Sequence, residues 1–235
     1  MAFSDLQTGV ANRIQDAAGR LPGDAVDGFI RQAIADRYSK DRPRIIVSDV
    51  AGAGTSDLPL PTGPNAEQFE DGFSVIRTIE YPMGELPPVY IDDQDWRLYR
   101  TPTGLVVRMM LVTPSEDEQA RFEWTSRHLA DASTLPGADL DAVCDYAAAL
   151  CMVAIASGYI QLTDSSLQSD SVNYRTKSQE ALAQAKQFRT QYFAHVGVEA
   201  DASGTESSGA ALAIGDFNNI MGPGVDRFIH GRRTR

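Results

Sequence analysis

Between Leu140 and Tyr159, apolar side chains recur at Leu140, Val143, Cys144, Ala147, Ala148, Cys151, Ile155 and Tyr159. This period predicts a helix with a wide buried face. Ala148, Ala149, Ala154 and Ala156 keep its surface shallow, so another helix can approach closely. A short polar turn, LTDSSLQSDS, leads into a longer, more charged run. There Tyr174, Ala181, Ala185, Phe188 and Tyr192 form one stripe, with Lys177, Glu180, Lys186 and Arg189 largely elsewhere. Ser169, Asp170 and Ser171, just ahead of it, are good N-cap types. The short connection predicts an antiparallel helix hairpin.

Upstream, residues 5–20 read as a weak amphipathic helix on Leu6, Val10, Ile14 and Ala17 or Ala18, broken by Pro22-Gly23. Asp24 can cap a second helix to about Ser39, with Val26, Phe29, Ile30, Ala33, Ile34 and Tyr38 on one face. Pro43 pushes its predecessor out of the helical region, and RIIVSDV follows as a short strand. Residues 51–72 read as a surface loop tacked down by Leu58, Leu60 and Phe69. FSVIRTIEYP then reads as a strand with Phe73, Val75, Arg77 and Ile79 on one face. WRLYRT and GLVVRMMLV flank a turn at Pro102-Thr103-Gly104, and RFEWTS supplies one more strand. Its Trp and Tyr residues are expected to pack against the helices or a neighbouring subunit.

The fold class expected is α+β, mainly α: a helical bundle built on the long helix pair, with an inserted small antiparallel β unit and an extended C-terminal tail. The divisions expected are 1–50 (N-terminal helices), 51–72 (loop), 73–128 (β subdomain), 138–198 (helix hairpin) and 199–235 (linker and tail). The linker is Gly-, Ser- and Ala-rich, a flexible composition. Beyond it, Phe217, Ile220, Met221, Val225, Phe228 and Ile229 are too many apolar residues for an idle solvated tail. Arg227, Arg232, Arg233 and Arg235 make its tip basic.

The formal net charge is −11, which argues against a surface built to grip phosphate backbones. Cys144 and Cys151 lie two turns apart on one helix, roughly 10 Å along the axis. That is beyond disulfide reach, so both read as buried, reduced thiols. The N-terminus MAFSDLQTG lacks the pattern of a signal peptide. Asp145 and the many alanines make the apolar helix a poor membrane span.

No residue set suggests catalysis. His128, His195 and His230 lie in separate segments without a ligand partner at metal spacing. His195, near a helix C-terminus, reads as complementing the helix dipole. Asp92-Asp93-Gln94-Asp95 lacks the glycine and the distant glutamate of a calcium loop and reads as a turn before Trp96. Gly52-Ala53-Gly54-Thr55 lacks a P-loop lysine and reads as a plain loop. The basic series on the second long helix is diluted by Glu180 and has no interleaved aromatics, so it reads as a solvated or subunit-facing side. No cofactor is expected.

Several segments together resemble one family. They are YSKDRPRIIVSDV, IEYPMGELPPVYIDDQDWRLYRTPTG, TDSS, SDSVNYRTKS and the closing Tyr192-Phe193. In this order they are similar to the head–tail connector (adaptor) proteins of tailed bacteriophages. The resemblance implies a structural virion protein at the neck, assembled in the host cytoplasm. It implies a ring, commonly of twelve copies, under the portal, with a tail or neck protein below and genomic DNA passing through the lumen. It implies no membrane and no enzymatic chemistry. Phe217, Ile220, Met221, Phe228, Ile229, Arg232, Arg233 and Arg235 would dock on the portal. Tyr174, Arg175, Lys177, Arg189, Trp96 and Tyr99 would meet neighbouring copies. A stopper or tail-completion protein is the nearest alternative, disfavoured by the long helix pair; an enzyme or regulator is the more distant one.

Overall fold

The computed structural model describes residues 3–16, 19–161 and 174–198. The chain is α+β and mainly α. It folds as two compact units, one of helices and one of strands. The strand unit is Pro43–Arg127, and the helical unit is formed by the chain before and after it.

In the helical unit, α1 (Phe3–Ile14) buries Leu6 and Val10. It stops at Ile14, earlier than the predicted break at Pro22-Gly23, because Gln15 has a positive φ of 44°. α2 (Gly23–Gln32) runs on through a π-helical stretch, Ala33–Tyr38, into a last turn, α3 (Ser39–Asp41). Its N-cap is Pro22, with no side-chain cap, so the capping expected of Asp24 does not occur. The predicted face is otherwise observed: Ile30, Ala33, Ile34 and Tyr38 are buried, and Val26 and Phe29 pack beside them. α4 (Leu140–Gln161) and α5 (Tyr174–Val196) are the two long helices. Tyr146 near the start of α4 meets Tyr192 near the end of α5, with ring centroids 5.0 Å apart. Further along, the Ser178 hydroxyl donates to the Ala156 carbonyl at 3.2 Å. The two helices therefore run antiparallel. Ala147, Ala148 and Ala149 are buried, as is Ala156, and the shallow surface is used. At the α1 contact, a Cβ on Gly9 would lie 2.7 Å from Cys144 Sγ, so this crossing requires glycine or a shift of the thiol. With its preceding turn, α4 is long and apolar enough to cross a membrane, yet half of that span is buried against protein. Its one central charge, Asp145, accepts a hydrogen bond from Arg13 of α1 at 2.5 Å.

The strand unit holds two three-stranded antiparallel sheets. In one, β6 (Gln119–Ser126) lies between β1 (Arg44–Ala51) and β3 (Ile76–Glu80). In the other, β5 (Gly104–Met109) lies between β2 (Asp57–Leu58) and β4 (Trp96–Thr101). Arg44–Ala51, grouped with the N-terminal helices by sequence, pairs along its whole length with β6 and so belongs to this unit. The register shifts between Ile76 and Thr78. That bulge resets the alternation expected for this strand, placing Ile76 opposite Trp124 and Ile79 opposite Phe122, both inward. Leu58 and Phe69 do tack the preceding segment to the core, and Leu58 does so from a two-residue strand. Trp124 lies in this unit's own core, with its indole N–H donating to Ser48 Oγ at 2.8 Å. Packing against the helices or a neighbour, as expected for the Trp and Tyr residues, is not its role.

Truncating a fully buried leucine leaves a cavity. Leu58→Ala is therefore expected to cost about 2–5 kcal/mol, against less than about 0.5 kcal/mol for the exposed Leu111→Ala. Urea denaturation followed by Trp fluorescence checks the difference.

Candidate subunit interface

The surfaces available to other proteins rest on a rigid frame, and in the helical unit that frame is polar. Asp139, just ahead of α4, is buried. Its carboxylate accepts hydrogen bonds from Tyr38 Oη (2.6 Å) and Arg42 Nη1 (2.7 and 2.8 Å). His195 Nε2, at the end of α5, lies 2.9 Å from it. Asp41 is equally buried, accepting from Tyr192 Oη at 2.7 Å and pairing with Arg37 at 2.7 Å. The Arg37 guanidinium lies 4.7 Å from the Phe193 ring centroid. His128 joins the same region: its Nε2 is 2.9 Å from the Arg42 carbonyl, and its backbone N–H donates to Ser39 Oγ. Two of the segments that carry the family resemblance, YSKDR and Tyr192-Phe193, thus meet in one network. His195 does more than complement a helix dipole, since its ring reaches a buried carboxylate.

Burial opposes the Asp139 charge, but hydrogen bonds from Tyr38, His195 and Arg42 outweigh it and hold the carboxyl below its ordinary range. Burial, then hydrogen bonding to a carboxylate, pushes the Tyr38 and Tyr192 hydroxyls up, so both stay donors. Burial also pushes the Cys144 thiol up to about 11 and the Cys151 thiol up to about 12.

The residues expected at subunit contacts fall on two elements. Trp96 opens β4, half-buried, with an indole N–H that is buried and makes no hydrogen bond. Tyr99, on the opposite face of β4, is 39% exposed and carries the Arg108 guanidinium 3.6 Å from its ring centroid. Arg108 is itself held by Asp57. On α5, Lys177 is exposed and lines a groove of about 350 Å³ with Ile14, Met152, Tyr159 and Glu180. Arg189 is half-buried, its Nε enclosed without a hydrogen bond. The side chains of Tyr174 and Arg175 lie outside the described residues. So do all the proposed portal-binding residues, Phe217 to Arg235. The Asp92–Asp95 stretch is a turn before β4, closed by Asp95 N–H donating to the Asp92 carbonyl at 2.8 Å. Among the described residues, no three His, Cys, Asp or Glu side chains group as metal ligands would.

Sequence reasoning missed two surface features. Ile45 and Val47 of β1 are half-exposed, and Leu86 and Leu111 project from loops. RIIVSDV reads as a short strand from its sequence, which does not show that one side of it lacks a strand partner among the described residues.

Replacing one member of a buried charge cluster leaves the others uncompensated. Asp139→Ala is therefore expected to cost about 3–5 kcal/mol at neutral pH. The Asp139 pKa is lower folded than unfolded. Its stabilisation is thus complete above the unfolded value of about 4 and is lost as pH falls through the folded value. Asp139→Asn should flatten this part of the acid limb in urea titrations between pH 7 and 2. The thiols should resist a disulfide reagent at pH 8 in the native chain, and both should react after denaturation.

No family model matches the chain, and no curated protein does. Solved structures do. A chain in the neck of an empty gene transfer agent (GTA) particle, computed with C6 symmetry, is 14% identical, with a TM-score of 0.28. The match covers 75% of this chain and 87% of that one. A chain of the virion of the native GTA particle is 15% identical, covering 74% and 87%, with a TM-score of 0.26. A chain in the neck of the native particle, computed with C12 symmetry, is 16% identical, covering 74% and 89%, with a TM-score of 0.26.

Proposed function

We propose that the protein is a structural component of a phage-like neck: an adaptor whose copies form a ring, in the simplest case a dodecamer, between a portal and the tail proteins below. The observation that carries this reading is the convergence of resembling segments on a framework. Tyr38, Asp41 and Arg42 interlock with Tyr192, Phe193 and His195 around Asp139 and Asp41. Two of the segments that carry the likeness to adaptors therefore hold helices to one another, which suits a scaffold.

In this reading the helical unit is the ring's body, with Lys177 and Arg189 among the α5 residues that meet a neighbour. The strand unit reaches the adjacent copy through Trp96 and Tyr99. The C-terminal segment docks on the portal, with Phe217, Ile220, Met221, Phe228 and Ile229 as anchors. Arg232, Arg233 and Arg235 pair with acidic portal groups, adding steering and specificity. The net charge of −11 suits a lumen that DNA slides through without being held.

Deleting residues 214–235 should abolish capture of the chain by purified portal rings in a sedimentation assay. Undiminished capture would remove the tail from this role. Images of the neck should count one ring of copies beneath the portal.

A further inference from the structure

The two sheets have four edges among the described residues, and three of them are blunted or covered. The segment Val89–Ile91 lies along β3: Tyr81 N–H donates to the Val89 carbonyl, and Ile91 N–H to the Ile79 carbonyl. β2 is only two residues long. β4 exposes Arg97 and Arg100. Short length, charge and cover are the ordinary ways of keeping an edge from pairing. β1 is different. It is eight residues long and pairs with β6 on one side only, with no proline, lysine or register shift along it. Arg44 is held by Glu67 and Asp49 by Arg121, and between them Ile45 (50% exposed) and Val47 (56%) are bare. Gly52, just past the strand, donates its N–H to the Glu118 carbonyl. Even-numbered residues of β1 therefore bond β6, and odd-numbered ones turn their N–H and C=O outward.

The chain supplies a segment that can reach this edge. At the end of α5, the His195 and Val196 carbonyls accept from Arg42 Nη2 at 3.4 Å, and Arg42 is two positions ahead of β1. The covalent chain alone keeps Asp49 within about 25 Å of Arg42. After Val198 come eleven mostly polar residues, Glu199–Gly209, which span up to about 40 Å when extended. Ala210–Ile214 follows, an apolar run bracketed by Gly209 and Gly215, without proline or charge. Such a run between turn residues has the length and composition of a buried strand.

We propose that Ala210–Ile214 adds to β1 of its own chain as an antiparallel strand, with Leu212 opposite Val47 and Ile214 opposite Ile45. Ile46 and Val50 are already buried, so the apolar area left to cover lies on the face of Ile45 and Val47. Leu212 and Ile214 go to that face, and the small Ala211 and Ala213 to the other. Moving the register by two would set Leu212 against Asp49, or Ile214 against Pro43. A parallel strand would begin beside Arg44 and leave the linker slack, whereas the antiparallel one begins at Asp49 and uses its length. A second copy could also pair with β1, but a segment tethered by a short linker is present at millimolar effective concentration. The strand hands the chain on from the Arg44 end of β1, so Phe217 and the residues after it start from a fixed point.

This pairing goes beyond the ring reading and does not rest on it. Amide hydrogen exchange, followed by NMR in the full-length chain without a portal, tests it. The Val47 and Asp49 N–H groups should exchange at least tenfold more slowly in the wild type than in Leu212→Pro. Ile46 and Ser48, bonded to β6 in either case, should not change. Phe228→Pro should behave as the wild type. Val47→Lys and Leu212→Glu should each expose the Asp49 amide, and the double variant should protect it again. Equal exchange in the wild type and Leu212→Pro, or a double variant no better than its singles, overturns the pairing. Protection lost in Phe228→Pro but kept in Leu212→Pro overturns it in favour of a later part of the tail. Protection that falls on tenfold dilution overturns it in favour of a second copy. No portal takes part, so each of these outcomes leaves the ring reading standing, and chains that never form rings leave the pairing standing.

Discussion

The helical unit depends on two carboxylates that cannot be left alone. Asp139 and Asp41 are both removed from water, where an uncompensated charge is costly. Compensation comes from two separate stretches of chain: Arg37, Tyr38 and Arg42 around the end of the second helix, and Tyr192 with His195 at the end of α5. Each partner can satisfy its carboxylate in only one alignment of the helices. The apolar faces alone would tolerate sliding, because alanine surfaces are shallow and similar along their length. The charge cluster sets where along each other the helices stop. Such clusters often add little net stability over an apolar replacement, and register is the best-attested use for them.

The strand unit is built on a different principle. Its core is apolar, and most charge is kept to the faces and rims, with Glu80 and the Glu67 side chain as buried exceptions. Arg108 with Asp57, Arg121 with Asp49, and Arg127 with Glu70 each neutralise one another on the surface. This pairing explains how an acidic chain presents stretches that are locally uncharged. The bare aliphatics of β1, Ile45 and Val47, stand out against that background. One unit is thus fixed by internal charges, and the other is packed on apolar side chains and leaves strand edges open.

Local periodicity determined most of the elements. The α4 stripe from Leu140 to Tyr159, the face from Val26 to Tyr38, and the hairpin around Pro102-Thr103 all follow from residue spacing, because side-chain direction along a helix or strand is a local property. The acidic balance and the separation of the histidines were likewise legible, as was the inability of Cys144 and Cys151 to bridge. The tertiary structure alone decided the rest. The bulge at Ile76–Thr78 shifts two isoleucines inward, since pairing with β6 outweighs the alternation of a single strand. Leu58 sits in a strand within a stretch that composition marks as loop, because its neighbour β5 offers a partner. Burial of Asp41 and Asp139 cannot be read locally, since Tyr38 lies 101 positions from Asp139, His195 lies 56 from it, and Tyr192 lies 151 from Asp41. The open edges of β1 and β4 are equally invisible in sequence: whether a strand has one neighbour or two depends on where the remaining strands go.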